Sequence, residues 1–172
     1  MFSYNEFKSQ IAKNGVARNN RFAVNISVPL QLTEGYDIKQ LMLYCTSVNL
    51  SGVNISSDAV KLYGESIEVP YDRTFSGATF SFLMSPDLKE KKLFDDWIDL
   101  IQNPNNRTFG YMDDFKAEEI SIQVLDLNDE YRYEVKLYEA FPKTIGNLNL
   151  ANDAAGVMSL DVSFDYRYYK TF

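Results

Sequence analysis

The 172-residue chain is long enough for one domain, residues 1–172, whose core needs no metal or disulfide to fold. It contains no histidine, which excludes Ser-His-Asp and Cys-His catalysis and the usual mixed zinc sites. Its formal net charge of -7 is opposite in sign to that of most nucleic-acid-binding proteins, so DNA would not be held by the average charge. No stretch approaches the roughly 18 uninterrupted apolar residues of a transmembrane helix, and no membrane span is expected.

The first twenty residues are predicted to form an N-terminal arm, 1–20, that contains a short helix. Within 4–14, the side chains of Tyr4, Phe7 and Ile11 recur at helical spacing on one face, and a glycine follows the run. The polar start of the chain lacks the basic-then-apolar layout of a signal peptide.

Two strands are predicted next. Alternating apolar residues over 22–28 predict the first strand, which a proline closes. The second strand is predicted over 39–50 and is apolar on both sides at first. It contains Cys45, the single cysteine, which is expected to be a small buried hydrophobic residue without an internal disulfide partner.

The stretch 47–66 is longer than the usual hairpin connection of about 2–5 residues and too apolar for plain disorder. Either it forms an extended arm of its own, or it docks on another subunit. A short strand around Ile67 and Val69 is expected to end at Pro70. The apolar residues of the stretch that need cover are Val48, Leu50, Val53, Ile55, Val60 and Leu62.

A strand over 78–84 leads into the principal helix. Ser85 fits the N-cap of this helix and Pro86 its first position, and the helix is predicted to run to about Gln102. Its apolar face consists of Leu93, Phe94, Trp97, Ile98 and Ile101.

The second half of the chain predicts more strands. Two alternating runs, 119–127 and 131–137, flank a polar turn and predict an antiparallel hairpin. Residues 141–146 are interpreted as a corner and 148–156 as a loop. The chain then closes with an alternation over 158–168, which predicts a long one-sided strand. The backbone groups of such a strand must be paired, which favours assembly over catalysis.

Taken together, these elements predict a mainly β fold. Six or seven strands with polar, solvent-exposed outer faces indicate an antiparallel β-sandwich or barrel, with one principal α-helix.

Three carboxylate groups are the candidates for chemistry. Asp95 and Asp99 lie one helical turn apart, so a hydrolase or a carbohydrate-binding β-sandwich with a concave site beside them is one hypothesis. A solvated helix face is the more common reason for such a pattern. Because no phosphate-binding loop or calcium loop is present, no catalytic, cofactor or metal site is predicted. The groups are Asp95-Asp96-Asp99, Asp113-Asp114 and Glu118-Glu119.

Three short motifs in a fixed order carry a resemblance to a known family. They are Arg73-Thr74-Phe75, the Phe94 and Trp97 pair of the principal helix, and the corner from Pro142 to Gly146. With the order of the predicted elements over residues 16–170, they resemble the tail tube proteins of contractile-tailed, T4-like bacteriophages.

The resemblance implies a structural subunit. Tube subunits of this family form hexameric rings, in which each subunit lends strands to a ring-wide β-barrel around a lumen, and the rings stack inside a contractile sheath. The resemblance therefore implies sheath, baseplate and tail-terminator proteins as partners, and passage of genomic DNA without specific binding. It also implies a place in the virion tail after assembly in the host bacterial cytoplasm. The segment 47–66 would reach the adjacent ring, and the N-terminal arm a neighbouring subunit.

The insert 31–40 and the N-terminal extension leave an alternative open. The chain is either the main tube protein or a baseplate protein of the same fold that initiates the tube, and a type VI secretion tube protein is a further candidate. The polar face of the hairpin over 119–137 is predicted to line the lumen, through Glu119, Ser121, Gln123, Arg132, Glu134 and Lys136.

Overall fold

The computed structural model describes residues 3–15, 17–50, 52–61, 63–148, 150 and 156–172. The described helices are α1 (Tyr4–Asn14), α2 (Leu30–Thr33), α3 (Ile38–Leu43), α4 (Lys89–Ile101) and α5 (Met112–Phe115). The described strands are β1 (Phe22–Ile26), β2 (Cys45–Asn49), β3 (Val53–Lys61), β4 (Ser66–Phe75), β5 (Ala78–Leu83), β6 (Ala117–Leu125), β7 (Tyr131–Ile145), β8 (Ser159–Asp165) and β9 (Tyr168–Thr171).

One antiparallel sheet holds seven of the strands, in the order β1-β6-β7-β8-β5-β2, with β9 also paired to β7. The long strand β7 belongs to two layers. Its first part pairs with β6 and β9, and its second part, from Phe141, pairs with β8. Between the two parts, Glu139 has a φ of 53°, and the strand turns from one layer to the other. The mainly antiparallel β prediction is therefore confirmed, and β3 and β4 form a separate two-stranded sheet.

The core lies between the two layers and α4. Fully buried aromatic side chains fill its centre, namely Phe80, Phe82, Phe94, Trp97 and Phe164. Several of their rings meet edge to face, as in the Phe80–Phe164 pair with centroids 5.3 Å apart. The predicted apolar face of the principal helix thus points inward. The indole Nε1 of Trp97 donates to the carbonyl oxygen of Phe115 at 2.7 Å, which ties α4 to α5.

The principal helix begins three residues later than predicted, at Lys89 instead of Pro86. Ser85 is not its N-cap, because the Ser85 amide and hydroxyl both donate to one carboxylate oxygen of Glu90, at 3.0 and 2.8 Å. This buried pair holds residues 85–88 in a turn, and Leu88 takes a left-handed conformation with a φ of 52°. Lys89 is therefore the first helical residue, and the Leu88 carbonyl oxygen accepts the first helical hydrogen bond, from the Lys92 amide.

The prediction of one strand over 39–50 is wrong for its first half. Residues 38–43 form α3, and the Asp37 carboxylate caps this helix by accepting from the Gln40 amide. A strand would place Leu41 and Leu43 on the same face, whereas the structure buries Leu41 and leaves Leu43 83% exposed. The strand itself starts at half-buried Cys45, and burial raises the pKa of its thiol to about 12.

Pro70 does not end its strand, contrary to the prediction. The strand β4 continues to Phe75, because the register with β3 shifts between Ser56 and Ser57, opposite the proline. A bulge of this kind accommodates a residue that cannot donate to the ladder.

The closing alternation over 158–168 is two strands rather than one. The chain leaves β8 after Asp165, and the Arg167 amide donates to the Tyr138 carbonyl oxygen as β9 begins. Because β8 lies between β5 and β7, it is not a sheet edge. The predicted corner over 141–146 is also wrong, since its residues up to Ile145 continue β7 and pair with β8.

Candidate functional site

The polar residues predicted for the lumen lie on the side of the β6–β7 pair that faces away from the core. Ser121 lies opposite Lys136, and Gln123 lies opposite Glu134. Ile120 and Ile122 alternate with these residues and point into the core. The structure therefore brings the predicted set together on one sheet face, to which β1 and β9 add further residues, but Ser121 is buried there with 4% of its surface exposed.

Charges on this face are internally balanced. The Lys136 ammonium contacts the Glu119 carboxylate at 2.9 Å, and the hydrogen bond between them raises the pKa of Lys136. The Gln123 amide donates to Glu134 at 3.0 Å. The Arg132 guanidinium bonds to Asp126 at 2.9 Å, at the end of the hairpin. Paired charges of this kind present little net field to a passing polyanion.

Strand β9 adds residues to the same face that sequence reasoning missed. The Lys170 ammonium lies over the rings of Tyr138 and Tyr168, at 5.8 and 5.9 Å from their centroids. The two rings themselves stack with centroids 4.9 Å apart. The alternation over 158–168 predicts one continuous strand that ends at Tyr168. It therefore does not indicate that Lys170 belongs to a second strand on this face.

Two edges of the four-stranded layer β1-β6-β7-β9 are unpaired within the described residues. Strand β1 pairs with β6, and strand β9 pairs with β7. Phe172 and Glu134 exchange both of their backbone hydrogen bonds, so the alternate residues Tyr169 and Thr171 direct their backbone groups away from β7. Such an edge is a template for a strand from another chain.

The segment predicted to reach an adjacent ring is mostly a hairpin arm, formed by β3 and β4. Val53, Ile55 and Val60 lie on its first strand, and the side chain of Ile55 is 61% exposed. Val48 and Leu50 belong to β2 and its end instead, and Val48 packs against the core. Leu62 lies outside the described residues. The inter-ring role of the whole set stays a prediction.

The arm is anchored at its base. The Phe75 ring contacts the rings of Tyr166 and Tyr169, with centroids 5.9 and 5.5 Å apart, and Arg73 lies over the Phe75 ring. Beyond this base the two strands pack mainly on each other. Exposed apolar side chains continue along the arm as Val60, Tyr63, Ile67, Val69 and Tyr71. The arm therefore offers an apolar surface that the subunit itself does not cover.

The predicted N-terminal helix is confirmed as α1. Its first turn is closed by a capping box, in which Ser3 and Glu6 bond reciprocally. Its apolar face is uncovered, since Tyr4 is 76% exposed and Phe7 61% exposed.

Several of the carboxylates in these groups have partners within the subunit. Asp95 contacts Lys91 and Asp113 contacts Lys116, each at 2.5 Å, while Asp96 accepts from the Tyr36 hydroxyl. In the described ranges, no group of three or more His, Cys, Asp or Glu side chains is placed to hold a metal ion. None of the described helices is long and apolar enough to cross a bilayer.

A family model described as phage tail tube protein matches residues 17–172. The chain belongs to the phage tail tube protein family. The resemblance drawn from the sequence motifs is thereby confirmed. Within the curated relatives, the tail tube protein of Serratia phage KSP90 is 23% identical over 172 residues, which cover 99% of this chain and 96% of that protein.

Solved structures share the tail tube fold. A chain of the PVC sheath-tube complex, an extracellular contractile injection system in its extended state, has a TM-score of 0.67 at 17% identity and covers 100% of this chain and 99% of that one. A chain of the anti-feeding prophage cap, which terminates its tube, also has a TM-score of 0.67, at 15% identity over 91% of both chains. A crystal structure of an Hcp protein has a TM-score of 0.50 at 13% identity, over 88% of this chain and 97% of that one.

Proposed function

We propose that six copies of this chain form a ring whose lumen is a continuous β-barrel, and that these rings stack into the tail tube. Genomic DNA passes through the lumen without specific binding when it leaves the virion. The tube lies inside a contractile sheath, in a tail that is assembled in the host bacterial cytoplasm. Family membership supports the tail location, and the strand edges support the ring.

The observation that carries the ring is the direction of the strands in the layer β1-β6-β7-β9. Each strand is antiparallel to its neighbour, so β9 and β1 run in opposite directions. When β1 of one copy meets β9 of the next, the alternation continues without interruption. Closing a circle in this way removes every free edge of the layer, which is how barrels satisfy their backbone groups.

The outer face of this layer is suited to a DNA conduit. In the closed barrel it lines the lumen, where Lys170 of β9 lies over tyrosine rings and the cations of the two central strands are held in ion pairs. The pair of Lys136 with Glu119 is one example. Since affinity for DNA comes mainly from uncompensated Lys and Arg, a balanced lumen lets the polymer slide.

Stacking uses the β3–β4 arm, which reaches the adjacent ring with its exposed apolar residues. Ile55, Ile67 and Tyr71 are each more than 60% exposed. Burying them against a second copy removes apolar surface from water, which stabilises the stack by roughly 25 cal/mol for each Å² buried.

The partners are the sheath, the baseplate and the tail-terminator protein. Chains from a sheath-tube complex, a tube-terminating cap and a contractile baseplate share the fold, which supports this setting. The role is structural, and no catalysis is proposed.

A baseplate protein that initiates the tube is the second candidate. A chain of the anti-feeding prophage baseplate has a TM-score of 0.65 at 12% identity and covers 91% of this chain and 95% of that one, and the Hcp likeness keeps a type VI secretion tube protein as a further candidate. Copy number in purified particles separates the candidates, because an initiator supplies one ring and a tube protein supplies many.

A proline at the free edge tests the ring. Thr171→Pro removes an exposed N–H that points away from β7, so the subunit keeps its own ladder and loses one bond of the seam. We expect folded monomers by circular dichroism and few or no rings in negative-stain images. Thr171→Val keeps the N–H and serves as the matched control, which should form rings. Rings of wild-type abundance in Thr171→Pro would show that β9 is not the seam.

A further inference from the structure

A basic cleft lies at one end of the β1–β6 pair. Arg18 and Arg21 precede β1 there, and Leu125 and Leu127 end β6 and begin the hairpin turn. Leu127 is 60% exposed, so the cleft has an apolar wall.

Carboxylates at this end are already neutralised by other arginines. Arg21 contacts Asp129 at 2.7 Å, and Arg132 contacts both Asp126 and Glu130, at 2.9 and 3.2 Å. Arg18 takes part in none of the ion pairs among the described residues. It is therefore the cation at this end that is available to another molecule.

An acidic cleft lies at the opposite end of the same two strands. It is lined by Pro29 and Leu30, which follow β1, and by Asp113, Asp114 and Glu118, which lie just before and at the start of β6. Leu30 projects from it with 87% of its side chain exposed.

The carboxylates of the acidic cleft are only partly neutralised. Asp113 contacts Lys116, whereas Asp114 and Glu118 are exposed and make no ion pair within the described ranges. Free carboxylates and a projecting leucine at one end thus face away from a free arginine and an apolar wall at the other end.

The two clefts are separated along the strands. The register runs from Phe22 opposite Val124 at the basic end to Ile26 opposite Ile120 near the acidic end. The nine residues of β6 span about 25–30 Å at roughly 3.3 Å for each residue. In a closed barrel, strand ends point to the two rims, so a ring built from this layer has the unpaired Arg18 at one rim and the unpaired Asp114 and Glu118 at the other.

We propose that these clefts form a second ring-stacking contact beside the arm, with the basic end of one copy seated on the acidic end of a second copy in the next ring. This proposal rests on the proposed ring. Rings stacked with the same polarity bring unlike rims together, which is the heterologous head-to-tail contact that an open-ended stack requires. Arg18 then meets Asp114 and Glu118, and Leu30 contacts the apolar wall beside Leu127.

Rim pairing also sets the polarity of the tube. A ring turned over would place Arg18 against Arg18 and Asp114 against Asp114, and like charges in contact reject that arrangement. Because a six-membered ring repeats each pair six times, a small preference for each pair becomes a large preference for each junction.

Charge reversal and its rescue test the proposal. The variants are Arg18→Glu, Asp114→Lys and the double variant Arg18→Glu/Asp114→Lys. Lys92→Glu on the exposed side of α4 is the control, since it makes the same change of charge as Arg18→Glu at a residue that lines neither cleft. Rings and tubes are counted in negative-stain images and by sedimentation, across a series of protein and salt concentrations.

We expect each single reversal to leave rings intact and to raise the protein concentration needed for tubes at least about tenfold. The double variant should restore tubes, the control should match the wild type, and high salt should shorten wild-type tubes.

Unchanged tubes in both single variants, or a double variant no better than the singles, would overturn the rim pairing. Folded single variants that no longer form rings would also overturn it, by placing these residues in the lateral seam. Wild-type protein that forms no rings would instead contradict the proposed function itself.

Discussion

At the scale of residues, the core depends on a few contacts that link elements distant in the chain. Trp97 is the clearest case, because its ring is fully buried among phenylalanines and its Nε1 reaches the Phe115 carbonyl oxygen. Helical spacing in the sequence predicts that Trp97 points inward. The sequence pattern does not predict the hydrogen bond, since the turn of α5 that presents the carbonyl oxygen has no periodic signal.

Trp97→Phe tests this contact. We expect the free energy of unfolding to fall by about 1–3 kcal/mol, because a buried carbonyl oxygen loses its donor and the smaller ring leaves a void. Urea titration followed by circular dichroism measures the change. Ile98→Val on the same helix, which deletes one methyl group at a half-buried position, is the control and should cost about 0.5–1.5 kcal/mol. Equal losses in the two variants would contradict a special role for the indole.

At the scale of elements, the alternation of apolar and polar residues predicts a strand correctly where one face of the strand is buried and the other is exposed. It predicts β1, β5, β6 and the first part of β7 close to their observed positions. It fails where tertiary contacts decide the outcome. The apolar run before Cys45 suits either a strand or a helix, and the Asp37 cap selects the helix. The bend at Glu139 and the break after Asp165 depend on which layer of the sheet covers each residue. The periodicity of the sequence carries no information on that.

For the same reason, only part of the candidate site could be predicted from the sequence. The sequence predicts that the six polar residues of the 119–137 hairpin share one face. Two alternating runs around a polar turn determine both the register of the strands and the face on which each side chain lies. Lys170 was missed because β9 was not recognised as a strand. The two rims draw on residues that are distant in the chain, Arg18 with Leu127 and Leu30 with Asp114, and only the fold brings them together.

Deleting the arm tests its role as an element. Because β3 pairs with β4 along its length, removal of about 50–60 alone would leave β4 unpaired. Replacing residues 54–74 with a short Gly-Ser linker instead removes both strands between the paired ends, Val53 and Phe75. We expect a folded subunit with a nearly unchanged melting temperature that forms single rings and does not stack. Long tubes from the shortened protein would refute the stacking role.

At the scale of the whole molecule, one arrangement explains the distribution of edges, charges and apolar surface. The layer β1-β6-β7-β9 has antiparallel free edges for lateral closure, the arm extends beyond the core, and the two ends of β1–β6 differ in charge. The formal charge of -7 is therefore not spread evenly. On the outer face of the layer Lys136 pairs with Glu119, while Asp114 and Glu118 at one end of β1–β6 make no ion pair among the described residues.

The mass of the purified particle tests the central claim most directly. Native mass spectrometry of the protein, combined with negative-stain imaging of the same sample, should give a species of six times the 19.8 kDa subunit that appears as a ring with an open centre, together with stacks of such rings. A sample that contains only the 19.8 kDa monomer at high protein concentration, or closed particles without a lumen, would contradict the account.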